Sequence, residues 1–190
     1  MSHNVAPPDV WDSAAFSSIF LASSFSCSQT ESMLAQTRIT QTINQQGDSL
    51  INESSITEYI TKTFPDVETA TNLGYTFFFY RGERIHAFAT IASTGNEYEQ
   101  VSRLDRAGVY RLNIGVSRET FKSLFGTEKI NVSDYDFTLL DALLPHPDYS
   151  AQFFICVLLP SDKTFEKVRP LLAEAHEIAV RKFNRRSKKN

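Results

Sequence analysis

The chain has only two cysteines, Cys27 and Cys156, among its 190 residues. Two cysteines are too few for the disulfide framework of a small secreted domain, and they lack the close spacing of a zinc site. Cys156 lies in a dense apolar run, where a reduced, buried thiol is the usual state. The sequence therefore predicts a cytoplasmic protein that needs neither a disulfide nor a metal to fold.

Long hydrophobic runs are also missing. The most apolar N-terminal stretch, residues 16–25, contains four serines in ten positions. A helix that spans a bilayer needs about 20 mostly apolar residues, so this stretch is too short. No Lys or Arg precedes it, since the first is Arg38, whereas a secretory signal begins with positive charge. We predict no membrane partner.

Glycine and closely spaced histidine are scarce, and the common catalytic motifs are missing with them. The seven glycines form neither the Gly-x-Ser-x-Gly elbow of many hydrolases nor the Gly-x-x-x-x-Gly-Lys loop that binds phosphate. The four histidines include no His-x-x-x-His pair that would ligate a metal. We predict no metal and no cofactor, and the sequence leaves open whether the protein is an enzyme.

The net charge of −3 hides an asymmetry. Residues 181–190 carry six basic side chains and no acid, and the rest of the chain holds 13 basic against 22 acidic residues, a net of −9. An acidic body repels phosphate backbones, which argues against nucleic acid as the main partner. The basic end can contact an anionic surface or, more simply, complement the dipole of a terminal helix.

The composition divides the chain into three parts. Residues 1–52 are rich in Ser, Thr, Gln and Asn and are predicted to be a disordered or weakly structured extension. Its aromatic residues leave docking on the body as an alternative. Residues 53–186 are predicted to be one folded domain, and residues 187–190 a basic tail.

Periodicity within the domain predicts helices at both ends and strands between them. Ser55 and Glu58 form a capping box before an apolar helical stripe, and Ser117 and Gly126 bracket a second helix. The remaining predicted elements are strands at Val67–Thr71, Tyr75–Tyr80, Ile85–Ile91, Val109–Val116 and Phe153–Leu159, a short helix at Phe137–Leu144, and a last helix renewed at Pro170. Together they predict an α+β domain, one antiparallel sheet of about five strands with helices packed on one face.

The run Gly108-Val109-Tyr110-Arg111-Leu112-Asn113-Ile114-Gly115-Val116, with Pro145-His146-Pro147 after it, resembles an uncharacterised family of small, mostly bacterial proteins. The resemblance covers about residues 54–185, and the family, a domain of unknown function, offers no catalytic residues to carry over. The order of the elements is more distantly similar to the YjbR-like double-wing proteins, whose fold is related to frataxin. That likeness implies DNA or iron binding, but the acidic body disfavours the first, and Glu53 and Glu58 alone are no iron-binding ridge.

Arg111 and Asn113 are two positions apart on a predicted strand, so their side chains share one face. A guanidinium beside an amide suits a carboxylate, phosphate or amide ligand. Asp105 and Arg106 lie just before this strand and complete a polar cluster. The alternative is structural: Arg111 pairs with Asp105 or another acid, and Asn113 supports a bulge near Gly115.

His146 lies between Pro145 and Pro147, whose fixed backbone holds the imidazole in place. Such a histidine can act as an acid/base or bind a ligand, with Tyr149 close by in the same loop. The alternative is a hydrogen bond to a loop carbonyl. His176, among apolar positions of the last helix, is predicted to be a buried core histidine.

Three functions remain open from the sequence. The first is a non-catalytic module that binds a small polar or anionic ligand, or a protein partner, near Arg111, Asn113 and His146. The second is a small enzyme that uses His146 as acid/base and Arg111 as an anion clamp. The third, nucleic-acid binding through the basic C-terminal helix, is disfavoured by the acidic body.

Overall fold

The computed structural model describes residues 49–82, 86–95 and 100–188. They form one six-stranded antiparallel sheet with the strand order β1-β2-β3-β4-β6-β5. The predicted α+β class with one antiparallel sheet is confirmed, but the sheet has six strands where about five were expected. The strands are β1 (Val67–Asn72), β2 (Tyr75–Tyr80), β3 (Ala89–Ala92), β4 (Arg111–Gly115), β5 (Leu143–Pro145) and β6 (Phe154–Leu158), and the helices are α1 (Glu53–Thr63), α2 (Arg118–Phe125) and α3 (Asp162–Ser187).

The main core lies between the sheet and these helices. Alternate residues of a strand point to opposite faces, so Leu112 and Ile114 of β4 point to the same side. They share one buried cluster with Ile60 of α1, Phe121 of α2 and Leu172 of α3. The helices therefore pack on one face of the sheet, as predicted.

The opposite face of the sheet carries polar side chains between two smaller apolar clusters. Arg111 and Asn113 point to this face, because they alternate with the core residues of β4. One flanking cluster includes Phe77 of β2, and the other includes Leu144 of β5 and Cys156 of β6. Cys156 is buried, as its apolar surroundings in the sequence predicted.

Helix α1 begins earlier than the sequence pattern indicated. Asn52 is its N-cap, and the Asn52 side-chain oxygen accepts a hydrogen bond from the Ser55 backbone N–H at 2.8 Å. The predicted capping box of Ser55 and Glu58 is therefore wrong. Asn is an equally strong N-cap residue, and starting there puts Glu53 in the first turn, where its charge complements the helix dipole. Glu58 instead pairs with Lys62 one turn later.

Residues 137–144 form turns and the start of the short strand β5, not the predicted helix. Leu139 and Leu140, which the predicted helix included, are 48% and 39% exposed. Leu144 packs inward, opposite Cys156 of β6. Since Leu144 precedes a proline, its backbone favours the extended conformation, and pairing with β6 supplies the sixth strand.

Helix α3 runs without interruption through Pro170, although the sequence predicted that a helix would end and restart there. Proline lacks the N–H that would bond to the carbonyl of Glu166, one turn earlier. Both Pro170 and Glu166 are exposed, so water can solvate that carbonyl. Val168 and Leu172 on either side are fully buried on the sheet, and this packing keeps the helix continuous.

The other predicted elements lie close to their predicted positions. Strand β2 has its predicted bounds, Tyr75–Tyr80. Ser117 caps α2, and Gly126 ends it in the left-handed conformation with φ of 74°, as predicted. Strand β3 begins at Ala89, later than the predicted start at Ile85, which lies outside the described residues.

The predicted extension, residues 1–52, and the docking of its aromatic residues lie almost entirely outside the described residues, as does the end of the basic tail. Ser49 and Ile51 are described, and both contact the segment before α3. The Ile51 N–H donates to the Pro160 carbonyl at 3.0 Å, and the Asp162 N–H donates to the Ser49 carbonyl at 2.9 Å. Along the part of the chain that the structure describes, no helix has the length and apolar character to cross a membrane.

Candidate functional site

Arg111 is buried in the middle of the sheet with only 1% of its surface exposed. The β4 backbone fixes its position, because Arg111 pairs with Ala92 of β3 on one side and Leu158 of β6 on the other. Its Nη1 donates to the Ser102 hydroxyl at 2.6 Å, and its Nη2 lies 3.5 Å from Nε2 of His146. Asp105 is one of the acids that the sequence offered as a structural partner for Arg111, whereas these two contacts are to Ser102 and His146.

Asn113 lies directly opposite Thr90 of β3, and the two side chains pair across the strands. The Asn113 Nδ2 donates to the Thr90 hydroxyl at 2.9 Å. Asn113 is only 2% exposed, and its Oδ1 has no hydrogen-bond partner among the described residues. The amide is thus part of a cross-strand pair, and it leaves one buried acceptor unsatisfied.

His146 is held at the end of β5 by its backbone and by its ring. Its N–H donates to the Phe154 carbonyl at 2.9 Å. The ring Nδ1 accepts hydrogen bonds from two backbone N–H groups, those of Asp148 and Tyr149, both at 3.1 Å. The sequence predicted, as an alternative, a hydrogen bond from the ring to a loop carbonyl. The ring instead accepts these two backbone hydrogen bonds, which close the loop after Pro147.

These contacts determine the protonation state of His146. Because Nδ1 accepts two hydrogen bonds, the single proton of a neutral ring is on Nε2. Burial and the positive charge of Arg111 hold the pKa of His146 well below its usual value of 6.5. The imidazole is therefore neutral near pH 7, and it orients the backbone of Asp148 and Tyr149.

This arrangement offers little to acid/base catalysis. A general base must come within hydrogen-bond reach of a substrate proton. His146 is only 4% exposed, its Nδ1 is occupied by the backbone, and its Nε2 faces the Arg111 guanidinium. Within residues 49–82, 86–95 and 100–188, no group of three or more His, Cys, Asp or Glu side chains is placed to hold a metal ion.

The other predicted site residues, Asp105, Arg106 and Tyr149, have different surroundings. Asp105 is exposed. Arg106 is half-buried and donates to the backbone carbonyls of Arg103 and Ser102 at 3.1 Å and of Thr138 at 3.0 Å. Its guanidinium therefore links the loop before β4 to the segment around Thr138. Tyr149 does adjoin the buried cluster, since its ring lies edge-on to His146 with 5.0 Å between centroids.

Tyr149 also lines a cavity of about 950 Å³ between the sheet and the second half of α3. We call this the helix–sheet cavity. None of Asp105, Arg106, Arg111, Asn113 and His146 lines it. Its walls are His86, Ala87, Phe88, Gly115, Val116, Tyr149, Gln152, Phe154, Ala175, Ile178, Ala179, Lys182, Arg185, Arg186 and Lys188.

Gly115 and Phe154 are neighbours on the wall of this cavity. A Cβ atom at this position would lie 2.9 Å from Cζ of Phe154, closer than such atoms approach without a shift. Phe154 pairs with Gly115 across β4 and β6, so its ring lies over the glycine backbone. The missing side chain therefore lets an aromatic wall of the cavity pack directly on the sheet.

The sequence analysis missed this cavity because its walls come from four distant parts of the chain. One signal was visible. Ala175, Ile178, Ala179 and Lys182 recur at helical spacing, so one stripe of α3 turns from apolar to basic along its length. The sequence predicts that the apolar half belongs to the core, and for the basic half it leaves open an anionic contact or the complement of the helix dipole.

Positive charge is concentrated at one end of the helix–sheet cavity, on the last turns of α3, and His86 also lies on the wall. Burial and the charge of Arg185 lower the pKa of Lys182. Burial and the charge of Lys182 lower the pKa of His86. The cations are thus close enough to repel one another, and no acidic side chain is found among the described residues of the wall.

Comparison with known proteins gives a family and nothing more specific. The model of a family described as "family of unknown function (DUF6194)" matches residues 51–188, well over half of the chain. No curated protein matches the chain, and no solved structure does either.

Proposed function

The chain belongs to the DUF6194 family of unknown function, and we propose that it is a non-catalytic binding module that holds a small ligand in the helix–sheet cavity. The observation that carries the proposal is the cavity itself. Its volume of about 950 Å³ lies within the usual range of small-molecule sites. A concave space of this kind suits a small ligand better than a protein surface.

The buried polar cluster supports the cavity without contacting the ligand. Arg111 and Asn113 are nearly inaccessible, which argues against the direct ligand contacts that the sequence suggested. His146 instead fixes the backbone of Tyr149, and Tyr149 lines the cavity. In this proposal His146 is a positioning residue, and Phe88, Phe154 and Ile178 supply the binding surface.

The enzyme alternative has less support. Among the described residues that line the helix–sheet cavity, no serine, cysteine or threonine stands beside a base. His86 is the one imidazole of that described wall, and its nearest charge is the cation Lys182 rather than an orienting carboxylate. A triad needs an orienting group of the opposite sign.

We also propose the YjbR-like double-wing arrangement for the fold and the cytoplasm as the location. The single antiparallel sheet with α1 before it and α3 after it supports the first. The buried Cys156 thiol, packed with Phe137 and Leu144, supports the second, because a reduced thiol suits a reducing compartment. Superposing an experimental structure on a YjbR-like protein and fractionating cells test these two proposals.

Titration of the full chain with 1-octanol, followed by calorimetry, tests the binding function. Octanol is a neutral probe with an apolar chain, and we expect it to bind to the wild-type protein. Ala179→Phe should abolish this binding, because the ring fills the cavity. Asn184→Phe is the matched control, since Asn184 is exposed on the same helix and lies outside the described wall. No binding of octanol, octanoate or octyl phosphate to wild type, or equal binding of octanol to both variants, would overturn the proposal.

A further inference from the structure

The helix–sheet cavity has two chemically different ends. Ala175, Ile178 and Ala179 of α3 line the apolar part together with Phe88 and Phe154. The next turns of the same helix stripe bring Lys182 and then Arg185 to the wall. A ligand that lies along α3 therefore meets apolar surface first and positive charge next.

Two arginines of α3 that lie outside the cavity wall are paired with acids of the same helix. Arg169 pairs with Glu166 at 3.2 Å, and Arg181 pairs with Glu177 at 3.5 Å. By contrast, no carboxylate of the described residues pairs with Lys182 or Arg185. Two outward-facing arginines of α3 are thus paired on the helix itself, whereas Lys182 and Arg185 have no carboxylate partner within residues 49–82, 86–95 and 100–188.

We propose that the helix–sheet cavity binds an amphipathic anion, with its carboxylate or phosphate head on Lys182 and Arg185 and its apolar body against Phe88, Phe154 and Ile178. This inference rests on the proposed binding function and names the ligand class. Arg185 offers a planar donor fork that matches two oxygens of either head group. Lys182 adds a point charge deeper in the cavity.

The electrostatics of the site agree with this ligand. Burial lowers the pKa of His86 and of Lys182, and the repulsion of His86 by Lys182 and of Lys182 by Arg185 lowers them further. A bound anion removes that penalty, because each cation then has an opposite charge nearby. Binding should therefore weaken as added salt screens these attractions.

Calorimetric titrations with octanoate, octyl phosphate and 1-octanol test the ligand class, because the three probes share one apolar chain. We expect the two anions to bind the wild-type protein at least about tenfold more tightly than octanol does, the usual gain from charge-assisted hydrogen bonds. The tighter anion identifies the head group. Lys182→Gln combined with Arg185→Gln should remove this advantage, so that the two anions and octanol bind the variant with similar affinity.

Arg181→Gln is the matched control, since it removes one positive charge from the same part of α3 on a residue that pairs outward with Glu177. It should leave anion binding within about twofold of wild type, as expected for an exposed ion pair. Equal affinity for octanol and both anions would overturn this inference while the proposed function stands. Failure of all three probes would overturn both. Loss of anion binding in the Arg181→Gln variant would show that the preference for anions comes from the net charge of the helix, and it would also overturn the inference.

A short DNA duplex provides the remaining comparison. We expect no binding of the duplex at physiological salt, because the rest of the domain is acidic. Salt-dependent duplex binding that needs Lys182 and Arg185, with no binding of octanoate or octyl phosphate, would assign these cations to nucleic acid and overturn the inference.

Discussion

Acid should destabilise this protein through His146, because the buried imidazole stays neutral in the folded chain. Burial and the charge of Arg111 hold the pKa of His146 well below its usual value of 6.5. In the unfolded chain the imidazole is exposed and takes up a proton as the pH falls below about 6.5. The unfolded state then binds more protons than the folded state, so the free energy of unfolding falls with falling pH.

The size of the effect follows from this one proton. Over the first pH unit below about 6.5, the free energy of unfolding should fall by about 1 kcal/mol. Each further unit removes about 1.4 kcal/mol, until the folded state also takes up the proton. Above about pH 7 the contribution is constant, since His146 is neutral in both states.

Urea unfolding of wild type and His146→Asn between about pH 7.5 and about pH 5 measures the effect. The Asn amide oxygen can accept the Asp148 and Tyr149 N–H bonds, but the amide does not titrate. The free energy of unfolding of the variant should therefore fall less with falling pH than that of wild type, by about 1 kcal/mol over the first pH unit below about 6.5. Leu144→Ala is the control, because it destabilises the same face of the sheet and keeps the imidazole. Equal pH slopes for His146→Asn and wild type would refute the reasoning.

Two further predictions concern the folded domain. Leu172→Ala should lower the free energy of unfolding by about 2–5 kcal/mol in urea, because it empties a fully buried position between α3 and the sheet; a loss below about 1 kcal/mol would contradict the described packing. Tyr110→Phe should cost about 1 kcal/mol in the same assay, because the Tyr110 hydroxyl donates to the Ile51 carbonyl at 2.6 Å. An unchanged stability would show that the segment before α1 does not pack there in solution.

Strong local patterns in the sequence were sufficient for most of the sheet. The aromatic run Tyr75–Tyr80 and the apolar run that contains β6 have no competing helical reading, because neither is long enough for an amphipathic helix. The segment at residues 137–144 shows the limit of the same method. Its leucines have helical spacing, but Pro145 and pairing with β6 decide its conformation, and a pairing between distant segments leaves no local trace.

The candidate site was predicted in part for a similar reason. The shared face of Arg111 and Asn113 follows from strand geometry alone, and the closeness of Arg111 to His146 was a hypothesis that the 3.5 Å distance supports. Their burial could not be read from residue types, since charged side chains are rarely buried. The helix–sheet cavity depends on Gly115, Phe154 and α3 meeting in space, which no local pattern encodes.

An intermolecular nuclear Overhauser experiment shows directly whether the helix–sheet cavity is the binding site. The full chain carries labelled isoleucine and leucine methyl groups, and octanoate is the probe. The account predicts contacts from the octyl chain to Ile178 and none to Leu139 or Leu140, which are exposed elsewhere on the surface. Contacts to those leucines without contacts to Ile178, or no contacts at all, would contradict it.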